Sequence, residues 1–86
     1  MDREMNLKKT CEMMVSDDYK ERFKAEYYQV ILRVNGLGRI LESFKQGTLE
    51  FKPKCSYELL EKQKEIMWEY ASVLRERAII EGIELD

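Results

Sequence analysis

The chain has 86 residues, a formal net charge of −2 and 44% apolar residues, with only one proline and four glycines. This length fits one small domain, and so few helix breakers favour long helices. No apolar run is long enough for a membrane span or a signal peptide, so we expect a cytoplasmic protein with no membrane partner. Its mild acidity is also unlike the basic surface of a protein that binds DNA specifically.

The residue types restrict the chemistry that the protein could perform. The sequence contains no histidine and two cysteines, Cys11 and Cys55, without motif spacing. The commonest general base and all histidine-based metal sites are therefore excluded, and two distant cysteines are weak evidence for zinc. In a cytosolic protein we expect free thiols. We predict a protein that is not an enzyme and that holds neither a metal nor a cofactor.

The N-terminal segment, residues 1–15, contains scattered apolar residues and no long pattern. It is interpreted as an extension that forms a short helix or stays mobile, whereas residues 16–86 form the helical domain. In that domain a first helix is predicted over residues 18–46 and ended by Gly47. Asp18 with Glu21 can form a capping box at its start, with Ser16 and Asp17 as competing caps. Its apolar residues step by four and three, as in a heptad seam: Phe23, Tyr27, Val30, Val34, Leu37, Leu41 and Phe44.

The stretch "LRVNGLGRIL", residues 32–41, interrupts this helix with a strong turn signal, Asn35-Gly36, and a second glycine, Gly38. The heptad seam passes through both glycines in phase, so a turn is rejected, and a phosphate loop is rejected because no strand precedes it. Gly38 faces the seam, where it would let another helix or a bulky side chain approach closely. Gly36 faces outward, and a local bend is the only role we expect for it.

A second helix is predicted from Ser56 to Gly82, after a short connector that contains Pro53. Such a connector returns the chain antiparallel, so the fold class is all-α, an antiparallel two-helix hairpin with a short N-terminal helix. Two helices bury only one narrow face each, which favours a homo-oligomer. The apolar residues of the second helix form two columns, Leu59, Ile66, Val73, Ile80 and Leu60, Met67, Leu74.

Three residues spaced by sevens, Gln63, Tyr70 and Arg77, lie between these columns, at the centre of the face expected to be buried. Buried polar side chains need partners. In one interpretation Arg77 extends along Tyr27 to a carboxylate such as Glu26. In the other, Gln63, Tyr70, Arg77 and Tyr27 form a ligand pocket in which arginine holds an anion and a tyrosine stacks on a base.

The opposite side of the second helix carries Trp68, Tyr57 and Ile79. An exposed tryptophan is a candidate anchor for a protein partner. The alternative is that the N-terminal segment covers Trp68. Together with Gly38, these residues form the predicted partner interface.

The second half of the chain resembles a family of small uncharacterised proteins of tailed phages and prophages, related to a crAss-like phage protein. The resemblance covers about residues 17–85 and includes "DDYKERFKAEY", "ELLEKQ" and "LRERAIIEGIEL". It departs from the family at Ser56, where proline is usual, and at "NGLG", where polar helix formers are expected. The matching positions in the second half are Leu49, Phe51, Pro53, Cys55, Leu59, Leu60, Glu61, Gln63, Met67, Tyr70, Leu74, Arg77, Ala78, Glu81, Gly82 and Ile83.

This resemblance implies a phage accessory protein that acts in the bacterial host cytosol. The predicted hairpin is also similar in architecture to phage proteins that sequester cyclic nucleotide immune signals. The first hypothesis is therefore a counter-defence protein that binds such a signal. The second is a protein inhibitor of a host immune protein, of the anti-CRISPR type, acting through its acidic second helix and Trp68. The third is a structural or assembly adaptor.

Overall fold

The computed structural model describes residues 5–85. The described chain contains three helices, α1 (Leu7–Met14), α2 (Tyr19–Gln46) and α3 (Tyr57–Glu81), and no strand. The predicted all-α class is therefore confirmed, and residues before the domain do contain a short helix. The two long helices lie within a residue or two of the predicted bounds.

Each helix begins at a side chain that accepts a hydrogen bond from a free backbone N–H. Asn6 Oδ1 accepts from the N–H of Lys9 at 2.9 Å before α1, and Ser56 Oγ accepts from the N–H of Leu59 at 3.1 Å before α3. At α2 the cap is Asp18, as predicted, but its carboxylate accepts from the N–H of Lys20 at 3.0 Å. These polar residues fix the starts of the helices because the first turn has no intrahelical acceptors.

The two long helices end at glycines with a left-handed backbone, Gly47 with φ 73° and Gly82 with φ 70°. After Gly82 the N–H of Ile83 donates to the carbonyl oxygen of Ala78 at 2.8 Å, which closes the last turn. The reversal also turns the Ile83 side chain back into the core, where it is 5% exposed.

Helix α2 is the centre of the fold, since both α1 and α3 pack against it. Within the described chain no Cα atoms of α1 and α3 come within 8 Å of each other. Phe23 near the start of α2 lies under Arg77 near the end of α3, and Phe44 near the end of α2 contacts Tyr57 at the start of α3. The two long helices therefore lie side by side in opposite directions.

The heptad seam predicted for α2 is largely buried. Leu37 and Phe44 are partly exposed, and the other five members are at most 8% exposed: Phe23, Tyr27, Val30, Val34 and Leu41. At the two ends of this seam Phe23 and Phe44 contact α3. Periodicity alone therefore located the face of α2 that faces α3.

The prediction for α3 was wrong about which residues are buried. The buried residues are Ala71, Leu74 and Ala78, each at most 2% exposed, and Met67 is partly buried beside them. The column Leu59, Ile66, Val73 and Ile80 is exposed by 56%, 53%, 52% and 84%. One neighbouring helix covers only a narrow stripe of α3, and small alanines let it approach closely.

The members of that column and the three polar or aromatic residues that alternate with them form an exposed row along α3. We call this row the exposed seam. It comprises Leu59, Gln63, Ile66, Tyr70, Val73, Arg77 and Ile80. The expectation that Gln63, Tyr70 and Arg77 are buried is thus also wrong.

The structure confirms one expectation about the two helical glycines and contradicts another. Helix α2 continues through both, so the rejection of a turn is confirmed. A Cβ atom added at Gly38 would have no neighbouring atom within 4 Å. The close approach expected at Gly38 is therefore not present within this chain.

We expect Leu74→Ala to lower the free energy of unfolding by about 2–5 kcal/mol, because it leaves a cavity at a side chain that is 1% exposed. Ile79→Ala is the control, since Ile79 on the same helix is 81% exposed, and it should change stability by less than about 0.5 kcal/mol. Urea unfolding followed by circular dichroism measures both. Equal losses would contradict the assigned buried face of α3.

Two glycine substitutions should have opposite effects. Gly82→Ala should destabilise the protein by roughly 1 kcal/mol, because alanine is strained in the left-handed conformation. Gly38→Ala should stabilise it by about 1 kcal/mol, because alanine favours the helix and the added Cβ meets no atom. Thermal melting gives the order, and destabilisation by Gly38→Ala would restore the close approach that the sequence suggested.

Candidate functional site

An open cleft of about 700 Å³ lies along α2. We call it the arginine cleft. Besides α2, its lining comes from α3, from the start of α1 and from the connector between α2 and α3. Its lining residues are Leu7, Leu32, Arg33, Gly36, Leu37, Arg39, Ile40, Ser43, Leu49, Gln63 and Met67.

The cleft exists because α1 is short. Thr10 and Met14 of α1 accept hydrogen bonds from the Gln29 amide at 3.3 Å and 2.7 Å, which fixes α1 over the first half of α2. Leu7, the first residue of α1, lies at the edge of the cleft. The face of α2 beyond this point has apolar residues but no described helix on top of it.

Two arginines flank a glycine at the centre of this face. Arg33, Gly36 and Arg39 are spaced by three residues, so they are neighbours on consecutive turns of α2. The Nη2 atom of Arg39 lies 3.8 Å from the position that a Cβ at Gly36 would occupy. The end of the Arg39 side chain therefore reaches back to Gly36, at a distance where an added Cβ would make an ordinary van der Waals contact.

Both positive charges are available to a ligand. Among the described residues the single ion pair joins Arg77 and Glu81, so neither Arg33 nor Arg39 has a carboxylate partner within 4.0 Å. A guanidinium binds planar anions and phosphates through two parallel hydrogen bonds. The cleft thus presents two such groups about one helical turn on either side of Gly36.

The floor beside the arginines is apolar, with leucine, isoleucine and methionine side chains from α2, α3 and the connector. Leu49 of the connector belongs to this lining, whereas Phe51, two residues later, is 58% exposed. An apolar surface beside paired cations fits a ligand that combines a flat ring with an anionic group.

The four residues predicted to bind a ligand are not brought together. Gln63 lines the arginine cleft, where its amide nitrogen lies 3.8 Å from the sulfur of Met67. Tyr27 is 5% exposed and packs edge-to-face on Tyr28, with ring centroids 5.8 Å apart. Tyr70, which is 42% exposed, lies on the exposed seam outside the cleft lining.

Arg77 has structural partners of its own. Its Cζ atom lies 5.0 Å from the centroid of the Phe23 ring, and its Nε atom is 3.6 Å from Glu81 Oε2. This arrangement follows the interpretation in which the arginine extends along an aromatic ring to a carboxylate, but the ring and the carboxylate are not Tyr27 and Glu26. Its side chain is still 52% exposed.

Two of the residues predicted to bind a protein partner share a second, smaller cleft. Trp68, which is 44% exposed, and Gly38 line it together with Lys64 of α3, and its volume is about 450 Å³. Tyr57 lies farther along α3, with its ring centroid 5.6 Å from that of Phe44. Ile79 lies near the other end of α3 and is 81% exposed.

The Tyr57 phenol and the two cysteine thiols are the remaining groups with chemistry to consider. Desolvation, with smaller contributions from the Glu61 carboxylate, raises the pKa of Tyr57 above its usual value, so this phenol stays neutral. Cys11 and Cys55 are exposed and not joined to each other. Over residues 5–85 no cluster of histidine, cysteine and acidic side chains could hold a metal, and no helix is long and apolar enough to cross a membrane.

Sequence reasoning missed Arg33 and Arg39. Neither arginine belongs to the heptad seam from which the buried face of the helix was predicted. The available signal was the symmetric spacing R-x-x-G-x-x-R within "RVNGLGR", residues 33–39, which places one bare position three residues from each of two cations.

Comparison with known proteins identifies the family of the chain. No curated protein and no solved structure matches it significantly. A family model described as Sequestin matches residues 17–80, which include α2, the connector and nearly all of α3. The matched segment contains every lining residue of the arginine cleft except Leu7. The chain therefore belongs to the Sequestin family.

Proposed function

We propose that this protein binds and sequesters a nucleotide immune signal, without catalysis, and so acts as a phage- or prophage-encoded antagonist of bacterial immunity in the host cytosol. The name of its family is consistent with a sequestering protein. The single observation that carries the proposal is that the arginine cleft holds two arginines beside apolar side chains, and that neither arginine forms an ion pair with another described residue.

The lining of the cleft matches the parts of a nucleotide. Arg33 and Arg39 would hold phosphate oxygens, and the apolar floor would support a base. The Gln63 amide at the cleft wall can both donate and accept hydrogen bonds, as recognition of a base edge requires. The volume of about 700 Å³ lies in the range of small-molecule sites.

The same lining favours binding over chemistry. Its polar side chains are the guanidinium, amide and hydroxyl groups of Arg33, Arg39, Gln63 and Ser43. None of these groups is a general acid or base near neutral pH, and no carboxylate of residues 5–85 lines the cleft. A ligand held there would be kept from its receptor but not altered.

Isothermal titration with cyclic dinucleotides, cyclic trinucleotides and ADP-ribose derivatives tests the proposal directly. We expect at least one of them to bind, and Arg39→Ala to weaken that binding by about tenfold or more through loss of a charge-assisted hydrogen bond. Arg75→Ala is the control, because Arg75 is an exposed arginine of α3 outside the cleft. If no ligand in the panel binds, or if both variants behave alike, the proposal fails.

Gly36→Leu should separate binding from folding. Leucine is a better helix former than glycine, and the nearest atom to its Cβ would be the mobile end of Arg39, so the melting temperature should not fall. The longer side chain should nevertheless occupy the space between the two arginines and abolish ligand binding. Unchanged affinity in a folded Gly36→Leu variant would show that the ligand binds outside the arginine cleft.

The exposure of Trp68 favours one alternative function, inhibition of a host immune protein through the smaller cleft that Trp68 shares with Gly38. Affinity capture from bacterial lysate, followed by mass spectrometry, tests it. A single specific partner that is lost on Trp68→Ala would support this alternative. No partner, together with a bound nucleotide, would exclude it.

A further inference from the structure

We infer that the exposed seam of α3 binds the same seam of a second copy of this chain, with the two α3 helices antiparallel. The seam alternates steps of four and three residues from Leu59 to Ile80, which is the spacing of a coiled-coil interface. Its five large apolar side chains are 42–84% exposed: Leu59, Ile66, Tyr70, Val73 and Ile80.

Nothing in the described chain covers this seam. Helix α2 occupies the neighbouring face of α3, at Ala71, Leu74 and Ala78, and α1 packs on α2. Apolar residues at heptad spacing pack best against a second helix that carries apolar residues at the same spacing. A second copy supplies one, since a surface related to itself by a two-fold axis is self-complementary.

The polar members of the seam decide the direction of the partner helix. In a parallel pair Gln63, Tyr70 and Arg77 would each meet their own copy, and two guanidinium groups would lie against each other in one layer. In an antiparallel pair each of them lies beside an apolar residue of the partner. Arg77 would then contact the partner's Leu59 through its methylene groups while its charge stays with Glu81.

The charged edge of the seam decides the register. Lys62, Glu69 and Glu76 follow one another at seven-residue spacing beside the seam. When Gln63 lies level with the partner's Val73, Lys62 lies opposite the partner's Glu76, and the symmetry makes this pair twice. Shifting the register by one heptad in one direction places Glu69 opposite the partner's Glu76, which is repulsive. Shifting it in the other direction pairs Lys62 with the partner's Glu69 but leaves four core layers instead of six.

In the favoured register the centre of the interface consists of Ile66 against the partner's Tyr70, repeated by symmetry. Glu69 meets its own copy at the two-fold axis, and this repulsion weakens the pair. Six core layers between Leu59 and Arg77 extend over about 27 Å. Contact along that length buries roughly 1,200 Å², near the lower limit of stable interfaces, so we expect a dimer that dissociates on dilution.

The dimer would also complete the arginine cleft. Gln63 belongs both to the seam and to the cleft lining, so the partner's Val73 would lie beside the α3 wall of the cleft. This step rests on the proposed function. It predicts that a monomeric variant with intact Arg33 and Arg39 binds the nucleotide more weakly than the dimer does.

Sedimentation equilibrium of the ligand-free protein tests the interface. Val73→Glu should weaken the dimer by about a hundredfold or more, because a carboxylate would be buried in the seam. The control is Val15→Glu, the same substitution at an exposed valine that follows α1 and is 81% exposed. Circular dichroism should show unchanged helix content in both variants, since each valine is at least half exposed.

Charge reversal tests direction and register independently of stability. Lys62→Glu should weaken the dimer by about tenfold, and adding Glu76→Lys should restore it, because the pairs are reversed as a set. Glu69→Gln should strengthen the dimer by removing the repulsion at the axis.

A monomer at all concentrations would overturn the inference, as would a dimer that tolerates Val73→Glu. A dimer lost on Val73→Glu but indifferent to the charge variants would overturn the antiparallel register. These results are distinct from those of the ligand titration: a monomer that binds a nucleotide refutes the dimer alone, and a dimer that binds none refutes the proposed function alone.

Discussion

The fold depends on the fact that only α2 is packed on two sides. Tyr28 and most of the heptad seam, including Phe23 and Val30, are buried on this one helix, whereas α3 buries only Ala71, Leu74 and Ala78. Each flanking helix gains its stability from α2 and leaves its own far side uncovered. The arginine cleft and the exposed seam are both consequences of this arrangement, because each is a surface that a third long helix would have covered.

Local signals predicted the helices well because the relevant interactions are local. Asp18, Ser56, Gly47 and Gly82 occupy the ends that their side chains and backbone preferences favour, and these ends are set by hydrogen bonds within a few residues. The buried face of α2 was equally clear, since only one face of this helix carries apolar residues at heptad spacing.

The buried face of α3 could not be predicted in the same way. Its apolar residues form two adjacent columns, and the sequence does not say which of them meets α2. The prediction placed α2 between the two columns, so Gln63, Tyr70 and Arg77 were expected at the centre of the contact. The actual contact uses Ala71 and Ala78, which a search for large apolar side chains overlooks. The site was missed for a related reason: charged residues on the outer face of α2 look solvated until the position of α1 is known.

The family match begins at residue 17, after α1 has ended, although Leu7 of α1 closes one end of the arginine cleft. The cleft therefore combines a floor from the shared part of the family with a boundary from outside it. One added helical turn at the start of α1 would cover about 5 Å more of α2. The length of this one small helix would thus limit the size of the ligand proposed for the cleft, although the helix itself lies outside the family match.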